Sequence, residues 1–389
     1  MGPRSRTFLA YRERRCSARF HIMTTIHFVY PHGKSVSCPD AIGRKVGAFL
    51  EGAGYRVLYY DFGEARTIHP ADGDILLGHP HPFPWTIFRR SSRSPGWSRV
   101  IAICPYSHGD TYTVSFLDRV VRGVDQYLAI TGSYWFDTVS CSPYAHWLPK
   151  MVHLDLAVDR ADFPRIKRSF HEPGDRRFLY IGNTLWCKNT QYLSRLARRL
   201  PRFEFAWIGR GSGIANVRPL GFQDFSTEIS RSLVSKYDFL ITVGTSDANP
   251  TTILEAMSWG LIPVCTPQSG YYRHPGIVNI PLDDEVAASR ILEDLQSVPA
   301  DRLHEWQAIN DQALASHYNW ERFCGQVLSS ITSSASPQLL PQSQVSRGQI
   351  LAGELMSPLS VLRWNGVKHL ARVVAKRTAF PAVKPLDEP

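Results

Sequence analysis

The chain has 389 residues and a mass of 44.0 kDa, a length that predicts two domains of ordinary size. Hydrophobic residues make up 43% of the sequence, charged residues 20% and aromatic residues 12%. This composition excludes a disordered, collagenous or coiled-coil protein. No window approaches the ~18 consecutive apolar residues of a membrane-spanning helix, so we expect a soluble globular core.

The net charge of +10 is concentrated at the two ends of the chain. Residues 1–22 carry six arginines and one glutamate, and residues 331–389 carry seven basic and three acidic residues. The body between them is close to neutral, which disfavours a nucleic-acid partner. Because a strand-like run follows Met23 at once, we interpret residues 1–22 as a disordered or mis-assigned basic extension.

The seven cysteines are scattered along the chain, without a CxxC pair or a spacing typical of a zinc site. An odd number of unpaired thiols is typical of a reduced compartment. The cysteine pattern therefore predicts a cytoplasmic protein and no metal centre.

The first half of the chain alternates short apolar runs with amphipathic stretches. Such alternation predicts a parallel sheet with helices packed on it, and we assign residues 23–150 to an N-terminal α/β domain. The predicted strands lie at 25–30, 55–60, 74–77, 100–103 and 126–131, and the predicted helices include 39–53 and 114–124.

A second alternation follows a segment that is interrupted by prolines. We interpret residues 151–174 as an interdomain linker and residues 175–331 as a second parallel-sheet domain. The carboxyl ends of parallel strands bind ligands, so both domains should face a common cleft. The predicted strands lie at 178–182, 203–209, 217–221, 238–243 and 261–265, and helices are predicted at 190–200, at 226–235 and from residues 250, 284, 302 and 320 onward.

Residues 332–389 predict a linker followed by a basic amphipathic helix. The stretch 332–348 is rich in Ser, Gln and Pro, a composition typical of linkers. The predicted helix 359–375 aligns apolar residues along one side with basic residues between them, which favours contact with an anionic membrane surface. A helix packed on the body is the alternative.

Two nucleotide-binding motifs are absent after the first predicted strand. The run His32–Ser35 resembles the end of a P-loop, but Phe28 stands where that motif requires a glycine. The dinucleotide motif GxGxxG is also missing, which disfavours an NAD enzyme. Gly33 still allows this loop to approach a phosphate.

The triplet Asp72–Asp74 could hold a divalent metal, but its position directly before a strand favours a turn.

The segment 243–265 carries the clearest chemical pattern. Asn249 suits the N-cap of a helix and Pro250 suits its first turn, so a helix should begin here, at the carboxyl end of a predicted strand. The free backbone N–H groups of Thr251 and Thr252 would then attract an anion.

Two acids complete this pattern: Asp247 lies in the loop before the predicted helix, and Glu255 lies within it. The segment resembles the donor-site motif of the retaining GT-B glycosyltransferases, in the glycosyltransferase group 1 family. In that motif a Glu, seven residues and a second Glu precede an A-M-x-x-G-x-P-V run. Asp247 replaces the first Glu, and the matching residues are Glu255, Ala256, Met257, Gly260, Pro263 and Val264.

Shorter motifs of the family occur in the same order. The resemblance is good across residues 175–330 and thin across the N-terminal half. It implies an α/β fold of GT-B architecture, with two Rossmann-like parallel-sheet domains facing a central cleft. The matching segments are Val158–Asp159 with Phe163 for N-G-V-D-x-x-x-F, Tyr180–Gly182 with Lys188 for G-R-x-x-x-x-K-G, Ile208–Gly211 for V-G-x-G, and Tyr318–Glu321 for F-S-W-E.

Three features depart from the family pattern. Asn183 stands where the family has an Arg that helps to bind diphosphate, which leaves Lys188 as the basic group of this loop. The Gly-Gly pair expected after the first strand is absent. Asp247 is one methylene shorter than the usual Glu.

The resemblance implies a role for the matching residues. Glu255 would accept hydrogen bonds from the ribose of the nucleotide, and Asp247 from hydroxyls of the donor sugar. Lys188 and the helix amides would hold the diphosphate and stabilise its charge without a metal. The further donor-binding residues that we expect are Gly33, Asn183, Gly209, Gly211, Asn249, Thr251 and Thr252.

A histidine after a central strand of the N-terminal domain contacts the donor sugar in this family. His108, which follows the predicted strand 100–103, is our candidate for this role. His79 and His81 are its rivals.

We therefore expect a retaining, metal-independent glycosyltransferase that uses a nucleotide diphosphate sugar as substrate and needs no cofactor. Its acceptor would be a glycan or a lipid-linked molecule in polysaccharide or glycolipid biosynthesis. We expect it in the cytoplasm, with peripheral contact at the inner face of the membrane. The alternatives are a nucleotide-sugar epimerase and a catalytically weak GT-B scaffold that binds a nucleotide sugar or a membrane.

Overall fold

The computed structural model describes residues 24–33, 38–109, 114–211, 213–333 and 339–356. Within these ranges the chain forms two parallel sheets of six strands each, with flanking helices. The predicted α/β class is therefore confirmed. The predicted extension 1–22 and the predicted amphipathic helix 359–375 lie outside the described residues. No helix in the described part of the chain is long and apolar enough to cross a membrane.

The first sheet is built from the N-terminal half of the chain. Its strands are β1 (Thr25–Val29), β2 (Arg56–Tyr60), β3 (Ile75–Gly78), β4 (Arg99–Pro105), β5 (Gln126–Ile130) and β6 (Met151–Leu154). The helices described here are α1 (Cys38–Gly52), α2 (Ile87–Ser91), α3 (Leu117–Gly123) and α4 (Ser133–Thr138). The strand order is β2-β1-β3-β4-β5-β6, so the order reverses between β1 and β3.

The second sheet repeats this plan. Its strands are β7 (Arg177–Ile181), β8 (Glu204–Ile208), β9 (Arg218–Pro219), β10 (Phe239–Thr242), β11 (Ile262–Cys265) and β12 (Val278–Asn279). The helices that follow are α5 (Thr190–Arg199), α6 (Glu228–Val234), α7 (Thr251–Trp259), α8 (Glu285–Ser297), α9 (Ala300–Ser316), α10 (Trp320–Thr332) and α11 (347–356). The strand order β12-β11-β10-β7-β8-β9 reverses between β7 and β10.

The strands form where the sequence offers short apolar runs. Every residue of β3 and of β10 is buried, as expected for parallel strands that are covered on both faces. The helices are amphipathic: α5 buries Tyr192, Leu193 and Leu196 and leaves Arg198 exposed. The carboxyl ends of β7 and β10 lie side by side, at the place where sheets of this type bind ligands.

The segment between the sheets differs from the prediction. The sequence predicts a linker from residue 151, but Met151–Leu154 forms the strand β6, which pairs with β5. Pro149 lies in the short 3-10 helix Ala145–Lys150 directly before this strand. A strand of four residues that includes a histidine gives too weak a pattern to predict.

The end of the described chain returns to the first domain. Helix α10 packs on α1, and a guanidinium nitrogen of Arg99 donates a hydrogen bond to the Ser333 hydroxyl at 3.0 Å. Val345 is buried in the core of the first domain. Part of the segment 332–348, for which the sequence predicts a linker, is therefore packed against the body by apolar contacts.

Candidate active site

The cleft between the two sheets contains a cavity of about 510 Å³ that is lined from both sides. The second domain contributes Lys188 and residues 246–251, which are mostly polar. The first domain contributes mainly apolar groups near the ends of its strands, including Cys104, Phe116 and Leu117. The cavity therefore has a polar half and an apolar half, each from a different domain.

Residues 243–250 connect β10 to α7, and one prediction for this loop is wrong. Helix α7 begins at Thr251, and its N-cap residue is Pro250, which offers no side-chain cap. Asn249 is not the N-cap, because its Oδ1 accepts a hydrogen bond of 2.5 Å from the hydroxyl of Tyr271. The first amides of α7 are therefore not capped by a side chain, and Thr251 lines the cavity. This helix end can attract an anion.

Lys188 and Asp247 meet in this cavity. Lys188 ends the short 3-10 helix Trp186–Lys188 after β7, and Asp247 follows β10. Because these strands are neighbours, Nζ of Lys188 reaches Oδ2 of Asp247 and donates a hydrogen bond to it. The side chains are 23% and 16% exposed, so both can still contact a ligand. The pair offers a cation to an anion and a carboxylate to hydroxyl groups.

Glu255 lies just over one turn into α7, in a small pocket beside the cavity. This pocket shares Cys38 and Thr251 with the larger cavity. Burial raises the pKa of the Glu255 carboxyl from its ordinary value of 4.5 to about 7, and a hydrogen bond from Thr251 offsets only part of this effect. At neutral pH the carboxyl is therefore present in both its protonated and its ionised form.

The three candidate histidines occupy different positions. His79 lines the cavity, whereas His108 lies beside it, edge-on against the ring of Trp135 and with Nε2 3.2 Å from the Thr138 hydroxyl. Burial lowers the pKa of His79 and that of His108 to about 4, so both rings are neutral near pH 7. Nδ1 of His81 accepts a hydrogen bond from a neighbouring backbone N–H.

The loops after β7 and β8 contact each other through glycines. A Cβ on Gly209 would lie 2.1 Å from the carbonyl oxygen of Gly182, so this close approach requires a glycine. Gly211 has a φ of +144°, which also favours glycine. The exposed Asn183 accepts a hydrogen bond from the Leu185 N–H at 3.1 Å. These residues shape the loop that carries Lys188 and do not themselves line the cavity.

The structure does not bring two further predicted residues to the cavity. The N–H of Gly33 donates to Oδ1 of Asp40 at 2.9 Å, and its carbonyl accepts from Arg44 at 2.6 Å. Both main-chain groups of Gly33 are thus engaged within the first domain. Thr252, the second residue of α7, does not line the cavity either, in contrast to Thr251.

Sequence reasoning missed residues that join the two halves of the cleft. The hydroxyl oxygens of Ser107 and Ser246 are 2.8 Å apart, and Nε1 of Trp135 donates to the carbonyl of Asp247 at 3.0 Å. Ser107 and Trp135 follow β4 and β5 at their carboxyl ends. A position after a strand's carboxyl end indicates a place near the ligand site. It does not indicate which residues face the other domain.

Buried polar atoms near the cleft support a polar ligand. Nδ1 of His79, Nδ1 of His108 and Nδ2 of Asn249 are buried and have no hydrogen-bond partner among the described residues. Buried polar atoms are almost always paired in folded proteins. Of these residues, His79 and Asn249 line the cavity, where a polar ligand could pair with them.

The described residues contain no group of three or more His, Cys, Asp or Glu side chains that could hold a metal ion. In the triplet Asp72–Asp74, Asp74 accepts hydrogen bonds from the Ala71 N–H at 2.8 Å and from the His27 ring at 3.0 Å. This triplet is a turn.

No protein-family model and no curated protein sequence matches the chain. Among solved structures the chain is similar to a glycosyltransferase from Rickettsia africae, with a TM-score of 0.55, 10% identity and coverage of 81% of this chain and 100% of that one. It is similar to a sucrose-phosphate synthase from Thermosynechococcus elongatus, with a TM-score of 0.57, 11% identity and coverage of 80% and 100%. It is also similar to an alpha-glucosyltransferase in complex with UDP and a 13-mer DNA, with a TM-score of 0.53, 13% identity and coverage of 80% of this chain and 100% of that one. The chain therefore has the GT-B fold, with two Rossmann-like domains that face a common cleft.

Proposed function

We propose that this protein is a glycosyltransferase that moves a sugar from a nucleotide diphosphate donor to an acceptor hydroxyl, with retention of the anomeric configuration. The observation that carries this proposal is the convergence of Lys188, Asp247 and the N-terminus of α7 in the cavity. They converge where the strand order of the second sheet reverses, the usual ligand site of such sheets. One protein of similar fold is a glucosyltransferase in complex with UDP.

Each group of the second domain has a part of the donor to bind. The ammonium of Lys188 and the free amides at Thr251 offer positive charge to the diphosphate. The Asp247 carboxylate accepts hydrogen bonds from sugar hydroxyls, and Glu255 accepts them from the ribose. Since the Lys188 ammonium has three N–H donors, it can contact the diphosphate and still orient Asp247.

The reaction breaks the bond between the anomeric carbon and the diphosphate oxygen. The transition state is oxocarbenium-like, and Lys188 and the helix amides stabilise the negative charge that collects on the leaving diphosphate. The acceptor hydroxyl attacks from the face that the diphosphate leaves, and its proton passes to a diphosphate oxygen. These fixed positive groups supply the stabilisation without a metal or a cofactor.

The acceptor would occupy the half of the cavity that belongs to the first domain. Its lining is largely apolar, with Phe116, Leu117 and Ile130, and His79 adds a polar edge. A glycan or lipid-linked acceptor suits this surface, and the basic C-terminal residues suit the cytoplasmic face of an anionic membrane. We do not expect a nucleic-acid acceptor, because the body of the chain is close to neutral.

A thermal-shift panel tests donor binding. The full chain is heated with UDP, GDP, ADP and dTDP, each with EDTA present. A ligand at ~100 times its dissociation constant adds ~2.7 kcal/mol, which raises the midpoint by several degrees. We expect a rise with one diphosphate. No rise with any of the four contradicts the proposal.

Product analysis separates the reaction classes. A transferase releases nucleoside diphosphate from a nucleotide sugar, an epimerase releases an isomeric nucleotide sugar without an acceptor, and a scaffold does neither. We expect nucleoside diphosphate, and we expect Glu255→Ala to abolish its release while the protein stays folded.

A further inference from the structure

The first domain holds a loop of the second domain through main-chain hydrogen bonds. The residues 246–249, here called the donor loop, lie against α4. The N–H of Gly132 donates to the carbonyl of Ala248 at 2.7 Å. Nε1 of Trp135 donates to the carbonyl of Asp247 at 3.0 Å and to that of Gln268 at 3.2 Å. The backbone that follows the Asp247 side chain is thus held from across the cleft.

This contact is packed as closely as a protein interior. Trp135 is only 3% exposed, and a Cβ on Gly109 would lie 2.6 Å from its ring. A Cβ on Gly132 would lie 2.0 Å from the carbonyl oxygen of Gly270. Glycine is required at position 132 because the two domains touch there through their backbones.

The donor loop is supported on its other side by the turn after β11. The N–H of Asp247 donates to the carbonyl of Gln268 at 3.0 Å, the same carbonyl that accepts from Trp135. Gly270, with a φ of +97°, places its backbone against the carbonyl of Ala248. The indole N–H of Trp135 therefore ties together the donor loop and the turn beneath it.

We propose that Trp135 is a positioning residue that sets where the carboxylate of Asp247 points, and thereby governs recognition of the sugar rather than the diphosphate. This inference rests on the proposed function. The groups that would hold the diphosphate, Lys188 and the amides of α7, are carried by the second domain. Asp247 differs from them because its own carbonyl is bonded to the first domain.

The substitution Trp135→Phe tests this, because it keeps an aromatic ring and removes the N–H. The matched control is Trp97→Phe, which removes a similar indole bond, 2.8 Å to the carbonyl of Ser91, within the first domain. Binding to the full chain is measured by calorimetry with UDP-glucose, GDP-mannose, ADP-glucose and dTDP-glucose and with the four free diphosphates. In Trp135→Phe we expect about tenfold weaker binding of the nucleotide sugar that the wild type prefers, as the loss of one hydrogen bond between Asp247 and the sugar would give. Its diphosphate should bind within about twofold of the wild type, and Trp97→Phe should change neither.

A double-mutant cycle with Asp247→Ala gives the second readout. If Trp135 acts through Asp247, Trp135→Phe has no further effect on nucleotide-sugar binding in the Asp247→Ala background. The inference is overturned if Trp135→Phe weakens binding of the nucleotide sugar and of the diphosphate equally, or weakens neither. It is also overturned if the losses of affinity in the cycle are additive. A wild-type chain that binds none of the eight nucleotides overturns the proposed function instead.

Discussion

Lys188 and Asp247 are ion-paired in the cleft, although 59 residues separate them in the sequence. Their loops follow β7 and β10, which are adjacent in the second sheet. The pair balances charge within the cavity and joins the group proposed for the diphosphate to the group proposed for the sugar. Loss of the Lys188 ammonium should therefore affect both parts of the donor.

We expect Lys188→Ala to lower the rate of nucleoside diphosphate release by about a hundredfold or more, because one fixed charge on a leaving group is worth about that much. The rate is measured at saturating donor. Lys236→Ala, which removes an exposed lysine, should turn over like the wild type. Normal turnover in Lys188→Ala would remove this residue from the site.

Donor affinity should depend on pH through Glu255. Its pKa of about 7 means that the carboxylate, which we propose accepts from the ribose, is lost as pH falls through 7. We expect binding to weaken by about tenfold between pH 8 and pH 6. Calorimetry with Glu255→Gln, whose amide does not titrate, should show no such dependence between these values. A wild-type affinity that does not change with pH would contradict this role.

The same carboxyl should lower the stability of the protein at higher pH. A carboxyl whose pKa is raised by folding binds its proton more tightly in the folded state, so stability falls as pH rises from about 4.5 to about 7. We expect Glu255→Gln to raise the free energy of unfolding by up to about 3 kcal/mol above pH 7. Near pH 4.5 it should raise it by little. Urea unfolding at both pH values measures this, and a gain of equal size at both would argue against it.

The substitution Gly132→Ala should open the cleft without unfolding either domain. Its Cβ cannot fit 2.0 Å from the carbonyl oxygen of Gly270, so the two backbones must separate. We expect a larger radius of gyration by small-angle X-ray scattering, with unchanged far-UV circular dichroism. The control Gly325→Ala meets nothing within 4 Å and should leave the scattering unchanged. A Gly132→Ala variant as compact as the wild type would refute the tight contact.

The ion pair between Arg89 and Glu354 should contribute to stability. Two guanidinium nitrogens contact both carboxylate oxygens, at 2.9 and 2.5 Å, and the side chains are only 3% and 9% exposed. Removing one partner of a buried pair costs about 3–5 kcal/mol, so Glu354→Ala should lower the free energy of unfolding by about this amount. Glu305→Ala, in an exposed pair with Arg302, should cost less than about 1 kcal/mol. Equal losses would show that Glu354 is not held as described.

Most strands could be predicted because parallel strands bury both faces and leave a continuous apolar run. Residues 238–243 predict a strand, and β10 is Phe239–Thr242. The two-residue strand β12 escaped prediction because it exists through pairing with β11, which the local sequence does not encode.

Site residues that follow a strand end and match a family motif could be predicted from the sequence. Residues whose role depends on a partner far along the chain could not. Lys188 and Asp247 belong to the first kind. Asn249 looked like a helix cap, but the hydroxyl of Tyr271, 22 residues later, takes its side-chain oxygen. Trp135 could not be predicted, because its contact with the second domain depends on how the two sheets face each other. The same arrangement separates His79, which lines the cavity, from His108, which does not.

The chain crosses from the first sheet to the second between β6 and β7, and it returns through α10 and the packed segment that includes Val345. The chain itself therefore connects the two sheets at two places, in addition to the hydrogen bonds across the cleft. A double tie leaves them fewer relative orientations than a single flexible linker would, so less entropy is lost when the cleft closes on a ligand.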